Sequence, residues 1–182
     1  MAKENILEGK LILAVDDEMD ILSTIEELLE GCTIHKATNH YSAQQYLQSY
    51  NYSIVILDIM GVDGFTLLRI AVAKKFPTVI ITAHALSPES LEKAIKLGAV
   101  SFLPKEALAE LKSHLEDVIS REGRSAWKEV LEKLQGLFSR RFGADWKEKN
   151  EFFKEFEEEL KKSTDSEPAT RSYAKRNKNL KK

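Results

Sequence analysis

Cysteine occurs once, at Cys32, so the chain cannot close an internal disulfide. At the start of a strand candidate, that thiol reads as an ordinary buried side chain. Long apolar runs are absent, and none approaches the ~20 residues that a bilayer-spanning helix takes. The N-terminus, Met-Ala-Lys-Glu-Asn, is polar and lacks a signal-peptide core. A cytoplasmic protein is expected. Nor does one sign of charge dominate. Against 29 Asp/Glu stand 27 Lys/Arg, a net −2, which excludes a general electrostatic pull toward nucleic acid or membrane.

What is present is apolar material in short, regular pieces. At 43% hydrophobic, 182 residues suffice for one ordinary domain with something appended. Charge divides the chain into three blocks. Residues 1–120 carry ten Lys/Arg and seventeen Asp/Glu, a net −7; residues 121–162 carry eleven and ten; residues 163–182 carry six and two, a net +4.

The centre of the first block is Ser53–Asp58, Ser-Ile-Val-Ile-Leu-Asp. Four consecutive apolar residues ending in an acid read as a strand buried on both faces of a parallel sheet. Leu11–Val15, Thr33–Ala37, Thr78–Thr82 and Val100–Leu103 are the other strand candidates. Amphipathic stretches alternate with them. Ile21, Leu22, Ile25, Leu28 and Leu29 mark the first, ending at Gly31. Asn39 or Ser42 caps the second, which buries Ala43, Tyr46, Leu47 and Tyr50. The third runs from about Phe65 to Lys75. Ser87-Pro88-Glu89 opens the fourth, with a capping hydroxyl and then proline at the first helical position, and Gly98 closes it. Leu108, Leu111, Leu115, Val118 and Ile119 mark the fifth.

Five strand–helix units predict an α/β fold with right-handed crossovers and helices on both sheet faces. The matching architecture is flavodoxin-like, a doubly wound (βα)5 five-stranded parallel sheet of order 2-1-3-4-5, followed by a C-terminal helical extension. Ligands of such sheets bind beyond the carboxyl ends of the strands, at the point where the strand order reverses. Strand one ends at Asp16-Asp17-Glu18, strand three at Asp58 and strand four at Thr82, and Lys105 follows strand five. Singly, each residue is ordinarily a turn, a cap or a surface charge. Together they put polar groups at four of the five expected strand ends. Carboxylates about 4 Å apart repel by roughly 4 kcal/mol per pair at an effective dielectric near 20. A proton or a hard divalent cation relieves that repulsion, and Mg²⁺ accepts such oxygen ligands. Carboxylate, metal, lysine and hydroxyl are what an incoming phosphoryl group requires.

Residues 10–120 resemble the receiver domain of two-component response regulators. The matching pieces are Val-Asp-Asp-Glu at 15–18, Ile-Leu-Asp at 56–58, Asp-Gly-Phe at 63–65, Ile-Thr-Ala at 81–83, and Gly-Ala-Val-Ser-Phe-Leu-Pro-Lys at 98–105. The resemblance implies that Asp58 accepts a phosphoryl group from a sensor histidine kinase or phosphotransfer protein. It implies that Asp16, Asp17, Asp58 and the backbone carbonyl of Met60 hold Mg²⁺, and that Thr82 and Lys105 contact the phosphoryl group. Phe102 takes the aromatic switch position, and Ala83 the small-residue position that gives the phosphoryl group access. The surface of helix four, strand five and helix five then changes and signals to a downstream protein. A phosphoacceptor signalling protein, not an enzyme acting on a separate substrate, is expected. Two departures stand out. Asp58 to Asp63 spans five residues without proline, where the family usually has seven with one. Lys105 is followed by Glu106 and preceded by Pro104, where the family commonly has proline after the lysine. His84 is expected near the site mouth, as an exposed loop residue or a group tuning access.

The domain division expected is 1–122 receiver, 123–162 helical extension and 163–182 disordered basic tail. Gly123 and Ser125 suggest a break and a fresh cap. Trp127, Val130, Leu131, Leu134, Leu137 and Phe138 form one helical stripe, interrupted by Gly136. Asp145-Trp146-Lys147-Glu148 reads as a capping box for a second helix burying Trp146, Phe152 or Phe153, Phe156 and Leu160. Both tryptophans and five of the eight phenylalanines lie here, and so much aromatic surface must pack on something. It folds back on the first block, or it serves a homodimer or another partner. The pair is too short and wrongly charged for a helix-turn-helix DNA reader. The alternative function is a nucleic-acid-binding effector using the extension and basic tail. A metal-dependent phosphohydrolase is a third class, weakened by the lack of Asp-x-Asp at Asp58.

Overall fold

The computed structural model describes residues 5–83, 87–121 and 126–162. The expectations for His84, for the break at Gly123 and Ser125, and for the tail 163–182 lie outside the described residues.

Five parallel strands form one sheet: β1 (Leu11–Val15), β2 (Thr33–Ala37), β3 (Ile54–Asp58), β4 (Thr78–Thr82) and β5 (Ser101–Pro104). Their order is β2-β1-β3-β4-β5, as expected. Every residue of β3 and β4 is buried, because helices cover both faces of the central strands. The helices α1 (Met19–Leu28) and α5 (Leu111–Ser120) cover one face through Leu22, Ile25, Leu111, Leu115 and Val118. On the other face lie α2 (His40–Ser49), α3 (Gly64–Ala73) and α4 (Pro88–Leu97).

Local chemistry explains several boundaries. Asn39 caps α2 by accepting the Ser42 N–H at 2.9 Å. Ser87 caps α4 by accepting the Ser90 N–H at 3.2 Å, Pro88 follows it, and Gly98 ends the helix at φ +103°. The helix α3 stops short of Lys75, which turns to φ +65° ahead of Phe76 and Pro77. A 3-10 segment, Lys105–Glu110, broken by a kink at Ala107, separates β5 from α5, so Leu108 belongs to that segment and not to the helix.

The extension supplies α6 (Trp127–Phe142) and α7 (Glu151–Lys162), which pack beside β5 and α4. The buried Trp127 donates its indole N–H to the Ala99 carbonyl at 2.9 Å. The Ala126 N–H reaches the Val100 carbonyl at 3.3 Å. Asn150 donates to Glu92 at 2.9 Å, and Lys96 sits 5.0 Å above the Phe152 ring, tying α7 to α4. Covering β5 in this way protects an edge strand. The capping box expected at Asp145–Glu148 does not form. Trp146 instead lies in a turn, wedged edge-on between Phe138 and Phe153 at 4.8 and 5.0 Å. Asn150 provides the cap, accepting the Phe152 N–H at 2.9 Å.

Candidate functional site

The carboxyl ends of β1 and β3 are neighbours, with Val15 opposite Leu57. Asp16 and Asp58 therefore leave adjacent strands at the same level. Asp16 is fully buried and Asp58 is 3% exposed, whereas Asp17 is exposed at the rim. Ligand oxygens of all three lie within 4.8 Å of one another. Both inner acids have one oxygen held by the backbone. Asp16 Oδ1 accepts the Glu18 N–H at 2.9 Å, and Asp58 Oδ1 accepts the Met60 N–H at 3.0 Å.

Lys105 supplies the opposing charge. Its Nζ lies 2.8 Å from Asp16 Oδ2, 3.0 Å from Asp58 Oδ2 and 3.0 Å from Glu18 Oε1. Toward Asp58 and Glu18 it donates well-aligned hydrogen bonds. Toward Asp16 the distance suits an ion pair but the geometry leaves Oδ2 without an aligned donor. Burial alone would lower the ammonium's proton affinity, but the close carboxylates of Asp16, Asp58 and Glu18 prevail and raise it above the usual lysine value. Burial pushes the Asp16 carboxyl above the ordinary range, and the nearby Asp58 charge adds to this against the pull of Lys105 and the Glu18 N–H. Four carboxylates facing one ammonium leave the crevice strongly negative. All-oxygen donors, a deficit of positive charge and an unaligned buried oxygen fit a hard cation such as Mg²⁺.

The loop after Asp58 is shaped by glycine. Gly61 has φ +82°, and a Cβ there would lie 2.7 Å from Asp17 Oδ1. A Cβ on Gly64 would lie 2.3 Å from the Asp58 carbonyl oxygen. The shortened loop thus folds tightly over the acid cluster. The Met60 side chain points outward and is 52% exposed, with its backbone N–H toward Asp58.

Thr82 ends β4, one residue beyond the Ile81 that pairs with Asp58. It is buried, with its hydroxyl unpartnered. Ala83 is exposed beside it. Phe102, opposite Ile80 on β5, is buried in the same apolar cluster as Trp127 and Phe138. Two groups were not singled out from sequence. Glu18 is the third carboxylate on Lys105, and its signal was its place in the acidic run 16–18. Arg140 and Arg141 of α6 line a cavity of about 390 Å³ that also reaches Thr82 and Ala83, and nothing in local sequence announces that meeting.

Residues 12–116 match the family model described as the response regulator receiver domain. The two-component response regulator ARR18 of Arabidopsis thaliana is 33% identical over 124 residues, 64% of this chain and 19% of that protein. ARR10 of the same plant is 30% identical over 122 residues, 62% of this chain and 22% of its own length. The chain thus spans about a fifth of the length of these relatives. A crystal structure of a two-component response regulator from Clostridium difficile superposes with a TM-score of 0.58 at 25% identity, covering 63% of this chain and 98% of that one. Since the family model spans more than half of the sequence, the chain belongs to the response regulator receiver domain family.

Proposed function

We propose that Asp58 is the phosphoacceptor of this chain, loaded from the phosphohistidine of a sensor histidine kinase or phosphotransfer protein. The family as a whole accepts phosphoryl groups in this way, and its acidic pocket generally binds Mg²⁺. The observation that carries the reading is the environment of Asp58. It is a nearly buried carboxylate at the end of the central strand, with one oxygen held by the Met60 N–H and the other 3.0 Å from Lys105.

A carboxylate oxygen of Asp58 attacks phosphorus. The new P–O bond forms as the P–N bond of phosphohistidine breaks, and the leaving electron pair stays on the imidazole, which takes up a proton. Asp16, Asp17, Asp58 and the Met60 carbonyl would hold Mg²⁺. Bound there, the ion supplies neutralising charge for the phosphoryl oxygens. Lys105 turns its ammonium from the acids to the new oxygens, and the unpartnered Thr82 hydroxyl donates to them. Phe102 follows into the space Thr82 leaves, and the surface of α4, β5 and α5 changes. The local charge event thereby biases a two-state element. Ala83, lacking a bulky side chain, leaves the phosphoryl group accessible. Residues 1–122 act as the receiver, 123–162 as a helical extension and 163–182 as a basic tail. A downstream protein reads the switched surface.

The test is incubation with Mg²⁺ and a small phosphodonor, followed by intact mass. A phosphoryl adduct on the wild type and none on Asp58→Ala is the expected result. Absence of adduct on both, with the donor active on a control receiver, overturns the reading in favour of a receiver that does not load.

A further inference from the structure

The cavity of about 390 Å³ is bounded by two separate parts of the chain. Thr82, Ala83 and Phe102 line it from the sheet, while Phe138, Arg140 and Arg141 line it from α6. Its wall is mainly apolar, with Glu106 the one carboxylate among its lining residues. Arg140 donates through Nε to the Gly136 carbonyl, and the Arg141 guanidinium lies 5.6 Å from its neighbour Phe142. Neither forms an ion pair with a carboxylate among the described residues. In the last turn of α6 both offset the helix dipole. That role accounts for their charge but not for their facing a cavity that ends at Thr82.

We propose that Arg140 and Arg141 act as positioning residues for the phosphorylated state of Asp58, closing the last turn of α6 over the site. The inference rests on Asp58 being the phosphoacceptor. The cavity provides the missing space for such a movement. Thr82 is one residue beyond the β4 partner of Asp58, and its buried hydroxyl is unpartnered. A phosphoryl group adds close to two negative charges on that side of the sheet. Two exposed guanidinium groups, those of Arg140 and Arg141, line the opposite wall and are free to respond. As they are drawn in, the cavity narrows and the acyl phosphate is screened from water. The anchor is already in place, because Trp127 and Asn150 fix the far parts of the extension to Ala99 and Glu92. The movement is therefore confined to the end of α6.

The experiment loads full-length wild type, Arg140→Ala/Arg141→Ala and Arg140→Lys/Arg141→Lys with Mg²⁺ and a small phosphodonor. Donor is then removed, and adduct decay is followed by intact mass. All three are expected to load. The alanine pair should lose its adduct about two- to fivefold faster, the factor appropriate to partly exposed charge pairs. The lysine pair should decay near the wild-type rate. In parallel, amide hydrogen exchange over residues 134–142 should slow on loading in wild type and not in the alanine pair. Equal decay for wild type and the alanine pair overturns the proposal while leaving the phosphoacceptor intact. So does a lysine pair as fast as the alanine pair, or exchange that quickens on loading. Failure of wild type to load removes the phosphoacceptor reading, and this proposal falls with it.

Discussion

Lys105 Nζ stands 2.8 Å from Oδ2 of Asp16, a carboxylate with no exposure to solvent. The same ammonium serves Asp58 and Glu18, so one positive charge answers three negative ones and Asp17 adds a fourth at the rim. An ion cluster buried with its charges so unevenly matched is expected to cost stability.

Asp16→Asn should therefore stabilise the metal-free protein. The amide oxygen still accepts the Glu18 N–H, and the buried charge is gone. A gain of about 1 kcal/mol at neutral pH is expected, since removing an incompletely compensated buried ion is often favourable. The sign with pH follows. The folded Asp16 carboxyl holds its proton above the unfolded value. Folding then binds protons, and stability falls as pH rises from the unfolded value through the folded one. Thermal melts of wild type should show that decline and the variant should lack it. Adding Mg²⁺ should raise the wild-type melting temperature and leave the variant nearly unmoved.

His114 gives the opposite slope. Its Nε2 is 2.8 Å from Ser101 Oγ on β5, with Lys133 of α6, Asp117 of α5 and Glu110 of the 3-10 segment around it. Burial foremost, with Lys133 assisting, lowers its proton affinity against the pull of Asp117 and Glu110. Its contribution is present above the unfolded value near 6.5 and is lost as pH falls toward the folded one. The slope is at most about 1.4 kcal/mol per pH unit. His114→Gln keeps a partner for Ser101 and should flatten that part of the stability–pH curve in urea titrations. An unchanged curve would remove His114 as its cause.

Trp127 is the bolt of the extension. Trp127→Phe removes the donor to the Ala99 carbonyl and part of a fully buried ring. The expected loss is about 2 kcal/mol, from one orphaned acceptor and a small void. Urea unfolding followed by far-UV circular dichroism measures it, and a loss below the error of the fit would show that α6 is not held by this contact.

Gly136 lies inside α6, and a Cβ there would meet nothing within 4 Å. Gly136→Ala should add about 1 kcal/mol, the propensity difference in a helix interior. A thermal melt of the full chain reads it directly.

The sheet was legible because strands buried on both faces are continuous apolar runs, and β3 and β4 are the plainest of these. The start of α4 was legible because Ser87 and Pro88 are local signals with a local mechanism. Asp16, Asp58 and Lys105 could be brought together on paper because the strand order places the strand ends. The start of α7 could not. Trp146 satisfies the spacing of a helical stripe, but its ring is claimed by Phe138 and Phe153, and that is a tertiary choice. The same holds for Arg140 and Arg141, which meet Thr82 only because α6 docks beside β5.

The loop after Asp58 supplies the sharpest test of the site. It has fewer residues than the family pattern, and it closes through Gly61 at φ +82°, where the Asp17 carboxylate leaves no room for a Cβ. In Gly61→Ala the new Cβ both meets an unfavourable backbone region and falls 2.7 Å from Asp17 Oδ1. The strain should cost about 1–2 kcal/mol. Relief requires Asp17 to move away or the loop to lift from Asp58. Either movement spoils the oxygen cluster, so Mg²⁺ should bind more weakly by a factor of about ten, equivalent to roughly 1.4 kcal/mol. Calorimetric Mg²⁺ titration of wild type and variant decides the matter. A variant that is less stable but binds Mg²⁺ as tightly as wild type would show that the loop and the acid cluster are independent, and that Asp17 does not depend on Gly61 for its place.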